Sequence, residues 1–372
     1  MGVAVGFAAV GGRVGSFHST KSKSVSGDKM KNEHIEMINE MIVPYKENAK
    51  NLLNPDADFS EVCYRAKTDK KYGTYDGNHI NRYRILTGIR FIRDSAPYEE
   101  LIRYLLVEEI KDRETNSFQG IGDALNLAVW LTKQFHKEED AELFSRAKNA
   151  NFDTACGFNA NDLSENYFKT NICDFDIVEC IWLTLDLQEH TYYDRLLELW
   201  KSEQTEWNEK RLNQLRSFER QRKNVRGELA ALLKLFELKK RAVTDWDYCS
   251  LSNDIAEKQI ELGQIQEAYD TVSRMLPRLE IIVGWENIGS GRFIMERCMD
   301  IIISGNKQDA SHLWNYMKPH AVQMKHMHWK LHEKIAKAAE IMGDLRLSKL
   351  FIKQLDKEKK ASRLALSKQK RT

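Results

Sequence analysis

The chain has 372 residues, with 57 Lys and Arg against 55 Asp and Glu. The resulting formal charge of +2 excludes a uniformly basic nucleic-acid binder and an acidic solubilising chain. Divided by segment, residues 1–29 carry +3, residues 353–372 carry +6 and residues 30–352 carry −7, an acidic body between two basic ends. No run of 18 apolar residues occurs, so no membrane-spanning helix and no membrane partner is expected.

Five prolines and 19 glycines, in a chain rich in Leu, Glu, Lys, Ala and Ile, point to an all-α protein. The six cysteines, Cys63, Cys156, Cys173, Cys180, Cys249 and Cys298, are scattered with no C-x-x-C pair. Such usage suits a reducing, cytoplasmic compartment better than a disulfide framework.

Residues 1–29 read as a disordered leader, with the folded protein starting near Met30. The first charge, Arg13, follows the small apolar stretch Met1–Gly12 instead of preceding it as a secretory signal requires. Gly6 stands where N-myristoylation needs Ser or Thr. An N-terminal helical bundle is expected over residues 30–150. It opens on Ile35, Ile38, Met41 and Ile42, one helical face that Pro44 should close or kink. A polar stretch including Lys70–Asn78 follows, then a helix over about Ile80–Arg93 and another starting at Ser95 and Pro97. Further helices are expected over Leu125–Phe135 and His136–Ala150, and a long loop over Asn151–Asn171.

Residues 151–250 form a connecting region whose main feature is one long helical pattern over Tyr192–Val243, with no proline and a single glycine, Gly227. Its polar middle, Glu206–Arg226, suits a helix bridging two packed units in solvent.

Over residues 251–357 a unit recurs around Gly263, Gly305 and Gly343, at spacings of 42 and 38 residues. Seven residues before each glycine stand Ala256, Cys298 and Ala336; five after it stand Ala268, Ala310 and Ser348. Nine and twelve after it come Val272 and Met275, Trp314 and Met317, Ile352 and Leu355. Small residues let two helices approach closely across a glycine reversal, and the larger ones form the stripe that meets the next hairpin. This spacing resembles the tetratricopeptide-type helical repeat, although the family's unit of about 34 residues is shorter than both spacings here. The resemblance implies an antiparallel helical-repeat array presenting a face to a protein or peptide. A bundle followed by such an array also looks, in architecture, like bacterial peptide-sensing regulators, and a toxin-neutralising role suits the same features.

Candidate chemistry is sparse. His320, His326, His328 and His332 are the one local concentration of metal-type ligands; on a continuous helix His328 and His332 would lie one turn apart, with His320 two turns earlier. Cys156, in the segment FDTACG, is a nucleophile candidate that needs a histidine and an acid brought to it in space. The segment Gln119–Asp123 is too short for a phosphate loop, and no cofactor is expected. Trp285, in Gly284–Gly291, is either an exposed ligand anchor or a core plug. Residues 358–372 form a basic tail, and nucleic-acid contact is confined to residues 353–372. The sequence therefore favours a non-enzymatic protein- or peptide-binding protein, against the alternative of an enzyme built on the histidine cluster or Cys156.

Overall fold

The computed structural model describes residues 27–70, 73–116, 120–241, 243–325 and 327–369. Among them sixteen α-helices and one two-stranded antiparallel sheet make an all-α protein. The expected leader lies outside the described residues up to 26, and the first helix begins at Gly27. No described helix is long and apolar enough to cross a membrane, and all six cysteines are unbridged. The chain divides into two compact units at Thr205–Glu206.

The N-terminal unit opens on α1 (Gly27–Asn51), which runs through Pro44 instead of ending there. One lost backbone bond is tolerated because Tyr45 and Ala49, beyond the proline, are buried. The polar stretch that follows hides a short hairpin of β1 (Ala66–Asp69) and β2 (Gly73–Asp76), paired Ala66 to Asp76. Then come α2 (His79–Arg90), α3 (Glu99–Thr115), α4 (Asp123–Lys133), α5 (Asp140–Lys148) and α6 (Phe152–Gly157). The expected loop after residue 150 contains α6, started by a reciprocal cap in which Asn151 Oδ1 accepts from Thr154 N–H at 2.8 Å.

Two more helices, α7 (Ile177–Asp186) and α8 (His190–Ser202), belong to this unit, because α8 packs on α1. Tyr45 donates to the Glu189 carboxylate, Arg84 pairs with Glu189 at 2.8 Å, and His34 Nε2 lies 3.3 Å from the Phe175 carbonyl. The bundle thus reaches well beyond the expected limit of residue 150.

The C-terminal unit consists of helical hairpins. The expected single helical run over 192–243 is three helices: α8, then α9 (Glu209–Gln221) and α10 (Val225–Lys239). They are followed by α11 (Asp245–Glu261), α12 (Ile265–Leu279), α13 (Gly291–Ser304), α14 (Lys307–Gln323), α15 (Trp329–Ile341) and α16 (Leu345–Gln369). The glycines Gly263, Gly305 and Gly343 sit between α11 and α12, α13 and α14, and α15 and α16, and each of those pairs is in contact. Successive hairpins meet through α11 on α13 and α13 on α15. Ala256, Cys298, Ala336, Ala268, Ala310 and Ser348 are all buried, as close helix approach requires. Ile352 departs from the pattern and is exposed. The basic tail is not a separate segment, since α16 continues through Gln369.

Several of the turns share one backbone device, though not the one at Gly305, which has φ −85° and bonds only to the Ile301 carbonyl at 2.7 Å. After α11, Gly263 N–H donates to the Ile260 carbonyl at 2.9 Å and Gln264 N–H to the Gln259 carbonyl at 2.8 Å, the two bonds of a Schellman cap. The same pair occurs at Gly343–Asp344, at Lys223–Asn224 and, in the N-terminal unit, at Gln188–Glu189. Lys223 and Gln188 accordingly take φ of 57° and 55°, the left-handed region where glycine is preferred. With Lys223 as the turn residue, α9–α10 is in register with the later hairpins. Leu232 and Leu235, nine and twelve residues on, are buried like Val272 and Met275. At the two positions where the others place small residues stand Arg216 and Glu228, an ion pair at 3.6 Å.

The boundary between units redraws the charge map. Residues 16–205 carry 24 Lys and Arg against 33 Asp and Glu, and residues 206–372 carry 32 against 22. The acidic body is the N-terminal unit alone; the hairpin unit is basic.

Candidate functional site

The largest concentration of buried charge among the described residues lies in the N-terminal unit. Glu109, Asp112 and Arg113 of α3 and its C-cap residue Asn116 follow the i, i+3, i+4, i+7 spacing of one helix face. Such a face normally meets water; here all four side chains are buried. Opposite them α2 supplies His79 and Arg82, and the end of β2 supplies Asp76.

Arg82 is the hub and is 0% exposed. It binds Asp76 Oδ2 at 2.5 Å and Glu109 Oε1 at 2.7 Å, and donates to the Val62 carbonyl at 3.3 Å. Arg113 reaches Glu109 Oε2 at 3.3 Å, forms a close pair with Asp112 and donates from Nε to the Ile121 carbonyl at 2.8 Å. Gly122 is required for that last contact, because a Cβ there would stand 2.4 Å from the Arg113 guanidinium. The QGIGD segment, whose Gln119 lies outside the described residues, thus seats an arginine.

His79 is the member of the cluster that water reaches. Its side chain is half-buried, with Nδ1 turned inward 3.5 Å from Glu109 Oε1 and 4.0 Å from Asp112 Oδ2. Burial alone would raise the Glu109 carboxyl, but the charges of Arg82, His79 and Arg113 outweigh it and hold the group well below the usual carboxylate range. Asp112 goes the other way: burial raises it and the charge of Glu109 adds, against the opposing pull of Arg113.

Two further carboxyls flank Tyr83 of α2. Burial raises Asp123 at the start of α4, and burial followed by the charge of Asp123 pushes Asp186, at the end of α7, up to about 7. Asp186 is open to water on one side yet hemmed in by protein on the others, so its charged form is poorly solvated. A carboxyl raised in the fold makes the native state hold an extra proton between about pH 4 and pH 7, and stability falls as pH rises through that window. Asp186→Asn should flatten the dependence there and raise stability at about pH 8. Solvent screening of the exposed side limits the gain to about 1 kcal/mol or less. Urea midpoints at the two ends of the window check this, and a wild-type slope retained in the variant would count against it.

The residues singled out in the sequence do not form a site. His320, on α14, stacks its ring 5.0 Å from Trp285, with Nδ1 3.5 Å from Glu286 Oε2. His328 precedes α15 as its N-cap, accepting from Lys330 N–H at 3.3 Å, so no continuous helix carries it together with His332. His332 is buried against Phe351 with Nε2 3.1 Å from Glu358 Oε1. The fourth member, His326, lies outside the described residues. Among those described, the group of three metal-type ligand atoms within 4.8 Å of one another is instead His79, Glu109 and Asp112.

Cys156 is exposed on the six-residue α6. Trp285 is 1% exposed and belongs to the core of the hairpin unit, which removes it as a surface anchor. Around it in sequence Ile281, Val283, Ile288 and Phe293 are exposed.

The i, i+3, i+4, i+7 run of Glu109, Asp112, Arg113 and Asn116 is visible in the sequence. Its burial is not, since nothing local distinguishes it from a solvated face. Compared with known proteins, the chain matches no family model, no curated protein and no solved structure.

Proposed function

We propose that the protein is a non-enzymatic binding protein whose hairpin unit takes a protein or peptide segment carrying apolar and acidic side chains. The observation that supports this most is the connector between α12 and α13. Over residues 280–290 it exposes Ile281 at 67% and Val283 at 96%, with Phe293 at 55% just beyond it in the first turn of α13, while Trp285 between them is in the core. Large apolar groups held outward on an anchored connector are costly unless a partner covers them. Val322, also exposed, ends α14 close by, where Lys325 N–H donates to Asn287 Oδ1 at 3.1 Å.

The electrostatics set the partner's character. An excess of ten cationic residues over 206–372 favours an acidic ligand, where the acidic body taken as a whole would have favoured a basic one. The likeness of the hairpin spacing to the tetratricopeptide-type repeat supports the same reading, as such arrays present faces to extended segments. The regulatory, sensing or neutralising role follows from what that segment belongs to.

A random-peptide display selection on the full chain tests the proposal. Peptides combining apolar and acidic residues should be enriched, and Val283→Asp with Phe293→Asp should abolish their binding while stability stays within about 0.5 kcal/mol of wild type. Equal retention by the double variant would remove the connector from the interface. Tight binding of single-stranded DNA with a steep salt slope, lost on deleting residues 353–372, would favour nucleic acid instead.

A further inference from the structure

The buried cluster on α2 and α3 balances its charge only with the help of His79. Asp76, Glu109 and Asp112 supply three carboxylates, and Arg82 and Arg113 two guanidiniums, all buried. A buried carboxylate without a matching cation is unfavourable by several kcal/mol in general; the third carboxylate is balanced only when His79 is charged, and a cation bound beside a neutral His79 supplies the same charge.

The inward atoms have the chemistry and spacing of a metal site. His79 Nδ1, one oxygen of Glu109 and one of Asp112 lie within 4.8 Å of one another. Around a first-row ion at ~2.1 Å, tetrahedral ligand atoms stand about 3.4 Å apart. The separations of 3.5 Å and 4.0 Å from His79 Nδ1 need only a small contraction to reach that. The arginines do not block the oxygens, because each carboxylate oxygen has a second lone pair. They act instead as the outer partners that fix ligand orientation.

One orphaned atom points independently to a ligand. His79 Nδ1 is buried and meets only the two carboxylates, at 3.5 Å and 4.0 Å, too far for a hydrogen bond of good geometry. Asn116, 5% exposed, donates from Nδ2 to Asp112 Oδ1 at 2.6 Å and is left with a buried Oδ1 that nothing satisfies. A cation between these atoms takes the His79 lone pair, and water carried by the cation donates to the Asn116 oxygen.

We propose that His79, Glu109 and Asp112 bind a first-row divalent cation, with Asn116 in its outer shell. One imidazole with two carboxylates suits Mn2+, Fe2+ or Zn2+ and disfavours the all-oxygen preference of Ca2+. Arg82 and Arg113 beside the ion lower its affinity, so the site is a reversible one. His79 lies at the first position of α2 with its outer edge in water, which gives the ion a route in.

The test uses the full chain, stripped with a chelator and titrated with MnCl2, which discriminates against the exposed thiols of Cys156 and Cys173. Free Mn2+ is followed by electron paramagnetic resonance and the melting temperature by calorimetry. One equivalent should bind and raise the melting temperature. His79→Ala and Asp112→Asn should each weaken binding by about tenfold or more, and His328→Ala should leave it unchanged. His79→Ala keeps both buried arginine pairs of Glu109, and its melt without metal verifies the fold. Absence of saturable uptake by wild type, or uptake unaltered in a folded His79→Ala protein, overturns the proposal and leaves the cluster as a purely structural ion network.

Discussion

Replacing Arg82 by alanine should cost the N-terminal unit about 3–5 kcal/mol at pH 7. The side chain is fully buried and binds Asp76 and Glu109, so its removal strands two carboxylates that cannot regain water. Asp76 has other partners, the backbone N–H groups of Arg65 and Asn78, both at 2.9 Å. Glu109 keeps only His79 and the longer contact to Arg113. The penalty has a pH signature. Glu109 is depressed in the native protein, so its stabilising contribution is complete above the ordinary carboxylate pKa and is lost as pH falls toward the folded value. Without Arg82, burial prevails and the carboxyl protonates readily, which relieves the stranded charge. The loss should therefore shrink between pH 7 and about pH 4, and Arg82→Met with Glu109→Gln should be milder than Arg82→Met alone. Urea unfolding at both pH values measures this. A loss below about 1 kcal/mol at pH 7 would mean that water reaches the cluster and that its burial is not what holds α2 on α3.

The same cluster shows where sequence reasoning stops. Periodicity reports which residues share a helix face but not what lies opposite, and the face of Glu109, Asp112, Arg113 and Asn116 is buried only because β2 and α2 bring Asp76 and Arg82 to it. Gly263 and Gly343 were legible as turns because glycine is the usual occupant of the left-handed position in a Schellman cap. Lys223 and Gln188 take that conformation too, at a local cost of about 1–2 kcal/mol, and no residue type marks them. The α9–α10 hairpin was hidden a second time, by Arg216 and Glu228 in the places where Ala and Cys signal close approach elsewhere. Ion pairs, of Arg216 with Asp254 at 2.6 Å and of Glu228 with Arg220 at 2.6 Å, occupy the positions that small residues fill elsewhere. The histidines misled for a related reason. Their spacing assumed one helix, and α15 starts one residue after His328.

Trp285→Ala should destabilise the hairpin unit by about 3–5 kcal/mol, the usual cost of emptying a buried tryptophan site. The indole is among the largest fully buried side chains, and its short helical turn, Trp285–Asn287, packs on both α13 and α14. Trp285→Phe should be far milder, because the indole N–H already lacks a hydrogen-bond partner and phenylalanine removes that unsatisfied donor together with part of the volume. The two substitutions matter for function through what Trp285 holds in place. Ile281 and Val283 precede it and Ile288 follows it, so the indole fixes the connector from which three apolar side chains project, beside Phe293 at the start of α13. Peptide affinity should accordingly fall in Trp285→Ala even at a temperature where the unit remains folded, stay near wild type in Trp285→Phe, and vanish in Val283→Asp with Phe293→Asp at unchanged stability. Calorimetric melts paired with peptide titrations separate the three cases. If Trp285→Ala binds as tightly as wild type while folded, the connector is not presented by its tryptophan anchor, and the apolar side chains must owe their arrangement to α13 alone.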